Sequence, residues 1–575
     1  MAGTATTKQQ TTGWGRALVL ALAALGAGLY LGQRGGAGGV GSGVAVPGVL
    51  KSDSAAAPHV CRHAGHTHTP HEHAHDSPVR CPVQPDARDV GDDWIPADSA
   101  ADRALAYERL AGAIRIRTET FDGMSFNASD PSFDVFYEFE AYLRKTFPLF
   151  HKHVPVEHVN VHGLLFTWKG SNPALKPIML MAHQDVVPVN PQTEADWTHP
   201  PFDAVLDDDG WVWGRGTTDM KSTLIAELAA AEKLLSEGFV PERTILFSFG
   251  FDEEILGQRG AAHLGPVVLE RYGPNGIALI LDEGFTGVDE AYGREFARVG
   301  LAEKGCLTVK MTLYTAGGHS SRPPPHTGIG LIAALFTAME AAPGPVKLDA
   351  ANPLLGFLEC AAEHGNMDAE LKSKVRCQKC WDSLSDELAE SPEAALFLKT
   401  TQAITVVNGG IKYNALPEVV SSLTNYRTVF FETSQTVLSR LVAALTPVAK
   451  AHNLTLDAFG SNPLATRDVV RLETVGVVLE PAPITPDAGA AWDLVAGTIR
   501  HQWPGSVVVP SAMTAFTDTQ WYWDSSPHIY RFAPASMKHI LNFHTVDERI
   551  HLDAHLSVIR FMYKILRNSD GWKSD

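Results

Sequence analysis

The chain has 575 residues, of which 45% are hydrophobic and 19% charged, and its formal net charge at pH 7 is −18. A chain of this length exceeds one ordinary hydrophobic core, so we expect two folded domains and additional segments. The acidic balance and the lack of a basic stripe in the sequence exclude nucleic acid as an expected partner.

An apolar stretch near the N-terminus, residues 17–32, is flanked by Arg16 and Arg34. It is at the short end for a membrane span, which needs about 17–25 residues, and slightly long for the apolar part of a signal peptide, roughly 7–15 residues. Because no acidic residue precedes it, the positive-inside rule places the N-terminus in the cytosol. We expect a cytosolic tail at 1–16 and a single-pass signal anchor at 17–33, with the remainder lumenal. Cleavage after the anchor, followed by secretion, is the alternative.

Residues 34–94 are predicted to form a flexible stalk, because they begin with glycines and continue with Ser, Ala and Pro in no apolar period. A dense group of histidines lies inside the stalk, between His59 and His75. These histidines could capture metal, or they could form a solvated spacer that becomes charged in acid. The spacer is the favoured interpretation, since no fixed backbone holds the rings in place.

The chain has six cysteines, which are few for its length, and in an oxidising lumen some of them could pair. Cys61 and Cys81 flank the histidine group and could form a disulfide there. Cys377 and Cys380 form a Cys-x-x-Cys, for which a structural disulfide or two buried thiols are favoured over catalysis, since zinc would need two further ligands nearby. Two N-glycosylation sequons suit a lumenal chain as well, and they begin at Asn127 and Asn453.

Three short apolar runs each end in acidic or histidine residues, and these runs are 177–182, 244–249 and 277–281. Such runs are typical of buried strands in a parallel sheet, and ligands bind beyond the carboxyl ends of such strands. The residues that follow the three runs are His183 and Asp185, then Asp252, Glu253 and Glu254, then Asp282 and Glu283. The sequence therefore predicts a metal site at one edge of an α/β sheet.

Two further segments contribute candidate ligands. Asp219 ends a glycine-containing loop and lies at or just before a predicted helix over 222–235, where backbone N–H groups keep a carboxylate ionised. His544 lies in a polar turn far downstream. Mixed imidazole and carboxylate ligands suit zinc best, with cobalt or manganese as substitutes. Each motif alone fits an ordinary surface pair or helix start, but their combination makes that interpretation very improbable.

These motifs resemble the dizinc peptidases and amidohydrolases that include carboxypeptidase S, aminoacylase and carnosinase. The resemblance runs from about residue 95 to the C-terminus and is strongest to the vacuolar carboxypeptidase S branch. Additional motifs carry it, namely 317–324, 408–417, 517–519, 521–523 and 529–532. Two positions depart from the usual pattern: Met220 replaces an acidic residue and Gln520 a basic one.

The resemblance implies two zinc ions bridged by Asp219. His183 and Asp282 would complete one zinc site, and Glu254 and His544 would complete the other. Asp185 would orient the His183 imidazole, and Glu253 would be the general base that takes a proton from water and delivers it to the leaving amine.

A smaller lid domain is implied to complete the active site. His319 matches the residue that stabilises the oxyanion, and in dimeric relatives this histidine reaches the partner's active site, so a homodimer through the lid is possible. Asn414 and Arg427 match residues that hold the substrate, and a guanidinium suits a bidentate grip on a carboxylate. An ordinary strand-surface role for Arg427 is the alternative.

The expected fold is an α/β catalytic domain with a mostly parallel sheet, formed by 95–298 and 478–575. An α+β lid is inserted at 299–477, and its stretch 348–400 is expected to elaborate the lid. Strands over 307–314 and 421–429 and a helix over 435–445 should form the lid core.

The expected function is a zinc-dependent carboxypeptidase that acts on small peptides in the vacuolar or lysosomal lumen. An N-acyl-amino-acid amidohydrolase with the same catalytic atoms is the alternative. A catalytically silent, membrane-tethered metal-binding protein is a third possibility, which the intact Glu253 argues against.

Overall fold

The computed structural model describes residues 81–460 and 467–574. The predicted cytosolic tail, the anchor, most of the stalk and its histidines lie outside the described residues. Within the described part of the chain, no helix is long and apolar enough to cross a membrane.

The helices are α1 (Ala100–Ile114), α2 (Val135–Thr146), α3 (Pro148–His153), α4 (Lys221–Ser236), α5 (Ala261–Tyr272), α6 (Gly328–Glu340), α7 (Pro353–His364), α8 (Ala369–Val375), α9 (Trp381–Leu388), α10 (Pro392–Leu398), α11 (Ser434–Ala451), α12 (Ala490–Gln502) and α13 (Leu552–Asn568). The first ten strands are β1 (Val156–Val159), β2 (Gly163–Trp168), β3 (Ile178–His183), β4 (Val205–Leu206), β5 (Trp211–Trp213), β6 (Ile245–Gly250), β7 (Leu279–Asp282), β8 (Val288–Ala291), β9 (Arg294–Glu303) and β10 (Gly305–Tyr314). The remaining strands are β11 (Gly318–His319), β12 (Thr401–Gly409), β13 (Ala415–Leu416), β14 (Val419–Thr428), β15 (Thr455–Ala458), β16 (Val469–Leu479), β17 (Val507–Met513), β18 (Ile529–Arg531), β19 (Ile540–Leu541) and β20 (Arg549–His551).

The catalytic domain is built on a nine-stranded sheet with the order β1-β2-β6-β3-β7-β18-β9-β17, and β8 pairs with β9. Its centre is parallel, since β6, β3, β7 and β18 pair in parallel. The outer strands β1 and β2 are antiparallel to their neighbours. The three apolar runs of the sequence form β3, β6 and β7, which confirms the predicted sheet.

Helices cover both faces of this sheet. Since successive side chains along each strand point to opposite faces, each face forms its own core with its helices. Leu180 on β3 packs with Leu224 of α4 in one core, and Met179 packs with Leu264 of α5 in the other. Because helices lie on both sides, the central strands β3 and β6 are buried along their whole length, as their apolar runs predicted.

The lid is a five-stranded sheet with the order β12-β14-β10-β16-β15. Its strands pair antiparallel except β15 with β16. Helices α6 and α11 cover one face, where Leu335 and Leu441 pack on Leu313. The predicted lid strands and the predicted lid helix are confirmed. The sheet begins at Gly305 and ends at Leu479, close to the expected boundaries of 299 and 477.

The stretch 348–400 does not elaborate the lid, and that expectation is wrong. Its helices α7 to α10 share a core with the catalytic strands β9 and β17, in which Phe357 and Leu358 pack with Phe296 and Val509. The stretch therefore extends the catalytic domain, although its position in the chain lies between lid strands.

The last part of the predicted stalk, residues 81–94, packs against the catalytic domain. Arg88 and Val90 hydrogen-bond to Asn568 of α13, and a disulfide joins Cys81 to Cys360 of α7. The expected Cys61–Cys81 pairing is therefore wrong, because Cys81 has another partner.

Of the two interpretations favoured for the Cys-x-x-Cys, the structure shows the disulfide and not two buried thiols. Cys377 and Cys380 form a disulfide in a short turn between α8 and α9. Cys306 is the free cysteine of the described residues. The disulfide closes the turn between two helices of the α7–α10 extension, and this structural role explains the pair without a redox function.

Candidate metal centre

Four predicted ligands lie where an element begins or ends. His183 is the last residue of β3, and Asp219 lies two residues before α4. Glu254 is in a single 3-10 turn, Glu253–Ile255, directly after β6. His544 adopts a positive φ of 57° in the connection between β19 and β20. The parallel strands β3 and β6 bring His183 and Glu254 to the carboxyl edge of the main sheet, and the loops beside the small β19-β20-β5-β4 sheet bring Asp219 and His544 to the same place.

Asp219 lies at the centre of the cluster and contacts both imidazoles. Its Oδ1 is 3.0 Å from Nε2 of His183, and its Oδ2 is 2.8 Å from Nε2 of His544. Nε2 of His544 is also 3.3 Å from Oε2 of Glu254. Candidate ligand atoms of His183, Asp219 and Glu254 lie close enough together to hold one metal ion. A carboxylate shared between two imidazoles agrees with the predicted bridging role of Asp219.

Asp185 organises the residues around it from a buried position. Its backbone oxygen is 3.0 Å from Nδ1 of His183, and its Oδ1 is 3.3 Å from the same nitrogen. Its two carboxylate oxygens accept the backbone N–H groups of Glu253 and Glu254 at 3.1 Å each, and Oδ2 also accepts the hydroxyl of Thr120. Asp185 therefore contacts the imidazole that it is predicted to orient, and its carboxylate also holds the turn that carries Glu253.

Glu283, and not Asp282, reaches the cluster. Oε1 of Glu283 is 3.8 Å from Nε2 of His183, and His183, Glu253 and Glu283 form a second group with ligand atoms close together. Asp282 belongs to neither group, and its buried Oδ2 has no hydrogen-bond partner among the described residues. The expected assignment of Asp282 as a ligand is thus at odds with the structure, because neighbouring side chains at the end of β7 point to opposite faces.

The cluster holds more buried negative charge than its two imidazoles balance. Burial raises the pKa of Glu254 to about 7, and nearby Asp219 adds to the effect. Burial would lower the pKa of His544, but its bonds to Asp219 and Glu254 outweigh burial and raise the pKa to about 11. Buried charges need partners or metal ions.

The side chains present fit divalent cations. Oε1 of Glu254 is buried and has no hydrogen-bond partner among the described residues. The cluster offers two imidazole nitrogens together with the carboxylates of Asp219, Glu254 and Glu283. Zinc prefers this combination of nitrogen and oxygen ligands. The protein's residues could therefore hold two ions that share Asp219.

Glu253 fits the expected general base. Burial raises its pKa well above the usual range, and the Glu254 carboxylate raises it further, against the lowering effect of His183. Its backbone N–H is held by Asp185, so the side chain has a fixed origin. The raised proton affinity suits a group that must accept a proton and later release it.

A buried carboxylate that sequence reasoning did not single out is Asp518. It is 5% exposed, and a Cβ built on Gly250 or Gly257 would meet its oxygens at 2.4 and 2.1 Å. The Asp518 carboxylate thus lies against the backbone on either side of the Glu253 turn. Burial raises its pKa well above the usual range. The motif at 517–519 was noted in the sequence, but nothing in it distinguished Asp518 from a solvated aspartate.

The lid brings two of its three predicted residues together. His319 on β11 pairs with Ala415 on β13, directly beside Asn414. The backbone N–H of Ser321 donates to Nδ1 of His319 at 3.2 Å, so the neutral ring carries its proton on Nε2. The ring is exposed. An Nε2–H that faces solvent can donate to an oxyanion, as the predicted role requires.

Arg427 lies elsewhere on the lid, on β14. Its guanidinium carbon is 5.2 Å from the centre of the Phe516 ring, which directly precedes the motif at 517–519. Nη1 of Arg427 is buried and has no hydrogen-bond partner among the described residues. The structure therefore does not place Arg427 beside Asn414, but it turns the guanidinium toward the catalytic domain and leaves a donor free.

A model of the peptidase family M20/M25/M40 matches residues 179–568. The chain belongs to this family. It is similar to carboxypeptidase S of Saccharomyces cerevisiae, with 39% identity over 490 residues that cover 81% of this chain and 84% of that protein. The N-fatty-acyl-amino acid synthase/hydrolase PM20D1.1 of Danio rerio is 32% identical over 486 residues, covering 82% of this chain and 87% of that protein.

The M20 fold is also found in solved structures. The metallo-carboxypeptidase Sso-CP2 from Sulfolobus solfataricus superposes with a TM-score of 0.56 and 17% identity, and the match covers 81% of this chain and 99% of that chain. At this identity the likeness concerns the fold. It agrees with an α/β catalytic domain and a separate smaller domain. Membership in the M20/M25/M40 family makes the protein a metallohydrolase of the peptidase type.

The placement of Glu283 predicts different results for two neighbouring substitutions. Glu283→Gln should lower the zinc content measured by elemental analysis from about two ions per chain toward one, because a ligand is removed. Asp282→Asn should keep both ions, since that side chain lies outside both groups of candidate ligand atoms. If Asp282→Asn loses an ion while Glu283→Gln keeps both, the predicted ligand assignment is correct and the placement derived from the structure is wrong.

Proposed function

We propose that the protein is a zinc-dependent carboxypeptidase that hydrolyses the C-terminal amide bond of small peptides. The supporting observation is the cluster of His183, Asp219, Glu254, Glu283 and His544 with Glu253 beside it. Zinc ions bound there would polarise the scissile carbonyl and lower the pKa of a water molecule. The similarity to carboxypeptidase S favours a peptide substrate over other amides.

The chain's own residues supply the proton transfers. Glu253 accepts a proton from the attacking water and delivers it to the nitrogen of the leaving amine, so the acid and base are one carboxylate. Asp185 keeps this carboxylate in place through the backbone of its turn. Nε2–H of His319 donates to the oxygen that becomes negative in the tetrahedral intermediate. Since His319 is exposed on the lid, lid closure or a second copy of the chain must bring it to the substrate.

Recognition of a free carboxylate is assigned to the lid. Arg427 offers a buried guanidinium with an unused Nη1, and a fully paired structural arginine would not leave this donor free. A substrate carboxylate would fill that position in a charge-assisted hydrogen bond, which contributes roughly 1.5–3 kcal/mol. This requirement for a terminal carboxylate is what separates a carboxypeptidase from an aminopeptidase.

An N-acyl-amino-acid hydrolase is the second candidate. The N-fatty-acyl-amino acid synthase/hydrolase of Danio rerio is similar over most of both chains. Its named substrates also carry an amide beside an amino-acid carboxylate, so the same catalytic atoms and the same Arg427 would serve. The two candidates differ in the group on the other side of the amide, and kcat/KM for a matched dipeptide and acyl-amino-acid pair distinguishes them.

We further propose that the catalytic part acts in the vacuolar or lysosomal lumen, tethered by the segment at 17–33. Two disulfides among the described residues suit an oxidising lumen. Asn127 and Asn453 of the two sequons are both exposed. In fractionated cells the full-length protein should resist carbonate extraction and shift on endoglycosidase treatment. A soluble protein with an N-terminus after residue 34 would instead indicate the secreted alternative.

The first catalytic prediction concerns Glu253. Glu253→Gln keeps the shape of the side chain and removes the base, so kcat should fall by about 10²–10⁴-fold. Elemental analysis should find the same zinc content as in the wild type, because Glu253 is assigned to proton transfer. Near wild-type turnover in this variant would refute the mechanism.

The second catalytic prediction concerns the substrate carboxylate. Amidation of the C-terminus of a good dipeptide substrate should lower kcat/KM about tenfold or more, because the contact to Arg427 is lost. Arg427→Ala should lower activity on the free acid by a similar factor and leave the slow hydrolysis of the amide nearly unchanged. Equal hydrolysis of acid and amide by the wild type would remove the carboxylate-reading role from this site.

A further inference from the structure

Glu548 is a buried carboxylate close to the metal centre to which the sequence and the proposed mechanism assign no role. It is 1% exposed and follows His544 by four residues. It directly precedes β20, which pairs with β5 in a four-stranded sheet, β19-β20-β5-β4. Asp219 lies in the loop that follows β5. This small sheet therefore places Glu548 against the loop that carries the shared carboxylate.

Several hydrogen-bond donors of that loop point at Glu548. Oε1 accepts the N–H of Gly216 at 3.0 Å and both the N–H and the hydroxyl of Thr218 at 2.8 Å, and the N–H of Asp219 lies at 3.4 Å. Oε2 accepts a hydrogen bond from the buried guanidinium of Arg215. The backbone carbonyl of Glu548 accepts the N–H of Gly214 at 2.9 Å.

The loop needs this support, since two of its residues are glycines. Gly214 and Gly216 have φ of 156° and 87°, in the region that favours glycine. Glycines give the unrestrained loop many conformations. A carboxylate that accepts several N–H groups selects one of these conformations, and the loop ends at Asp219, whose two oxygens contact His183 and His544.

We propose that Glu548 is a positioning residue that holds Asp219 in the orientation in which it is shared by two metal ions. Glu548 does not touch the substrate or a ligand atom. It acts through the backbone of the loop 214–219, and because His544 lies on the same segment, it keeps two ligands in register that are 325 residues apart. This inference rests on the proposed zinc centre.

The test compares the zinc affinity of purified full-length wild type with that of Glu548→Gln, by competition with a chelator. Gln keeps the volume of the side chain but not the charge that gathers the N–H groups. Loss of such a supporting residue should weaken zinc binding about 10- to 100-fold. Hydrogen exchange at the amides of Gly216 and Thr218 should become faster, and added zinc should restore much of the lost activity.

The matched control is Glu432→Gln. Glu432 is another buried glutamate, 7% exposed, that pairs with Arg440 and accepts the hydroxyl of Thr400, away from the cluster. The Glu432→Gln substitution should lower thermal stability by about as much as Glu548→Gln does, and it should leave zinc affinity unchanged. An equal loss of zinc affinity in both variants would overturn the proposal, since the effect would then be one of general destabilisation.

Thr218→Val decides the question if Glu548→Gln does not fold. This variant removes one hydroxyl donor to Oε1 and should weaken zinc binding by a few-fold. If Glu548→Gln folds and its zinc affinity is unchanged, the positioning role is overturned. If Glu548→Gln does not fold and the zinc affinity of Thr218→Val is unchanged, the positioning role is overturned as well. Neither outcome overturns the metal centre. A wild type that binds no zinc overturns the metal centre and this inference together.

Discussion

Carboxylates gathered at the carboxyl edge of a parallel sheet are the constraint on which the rest of the structure depends. Asp219, Glu253, Glu254 and Glu283 are gathered around the buried imidazole of His183 and the more exposed imidazole of His544. Such charge is unfavourable unless cations neutralise it, and two imidazoles are too few. The same cluster of carboxylates that destabilises the folded state without metal makes this edge of the sheet a strong binding site for divalent ions.

The two supporting residues act in the same way, since each is a buried carboxylate that accepts hydrogen bonds from several backbone N–H groups. Asp185 holds the turn of Glu253 and Glu254 in this way, and Glu548 holds the loop of Asp219. Because both carboxylates hydrogen-bond to the backbone, they fix the loops that carry the candidate ligands without contacting the ligand side chains of those loops. A site built in this way is preorganised for catalysis, since little rearrangement is needed when substrate binds.

The two domains divide the work along the same lines. In the proposed mechanism the catalytic domain carries the candidate metal ligands and the base, and the lid carries the groups assigned to substrate recognition. The chain first enters the lid at Gly305, directly after β9, and leaves it for the last time after β16, and in between it forms the α7–α10 extension of the catalytic domain. At this junction the buried Glu303 accepts hydrogen bonds from Thr517, Thr519 and Arg531, which link the root of the lid to the motif that contains Asp518.

The sequence by itself predicted the catalytic sheet, the lid core and most of the residues that form the candidate metal cluster. Apolar runs of β-formers that end in His183, Glu254 or Asp282 have one physical explanation, strands whose ends meet at one edge. The tertiary structure decided what depends on direction and on distant partners. Asp282 and Glu283 are neighbours of similar chemistry, and only the orientation of β7 shows which one faces the cluster. The pairing of Cys81 with Cys360, the packing of α7 to α10 on the catalytic sheet and the hold of Glu548 on the Asp219 loop each join segments far apart in the chain. No local pattern records such contacts, because they arise only when the elements pack.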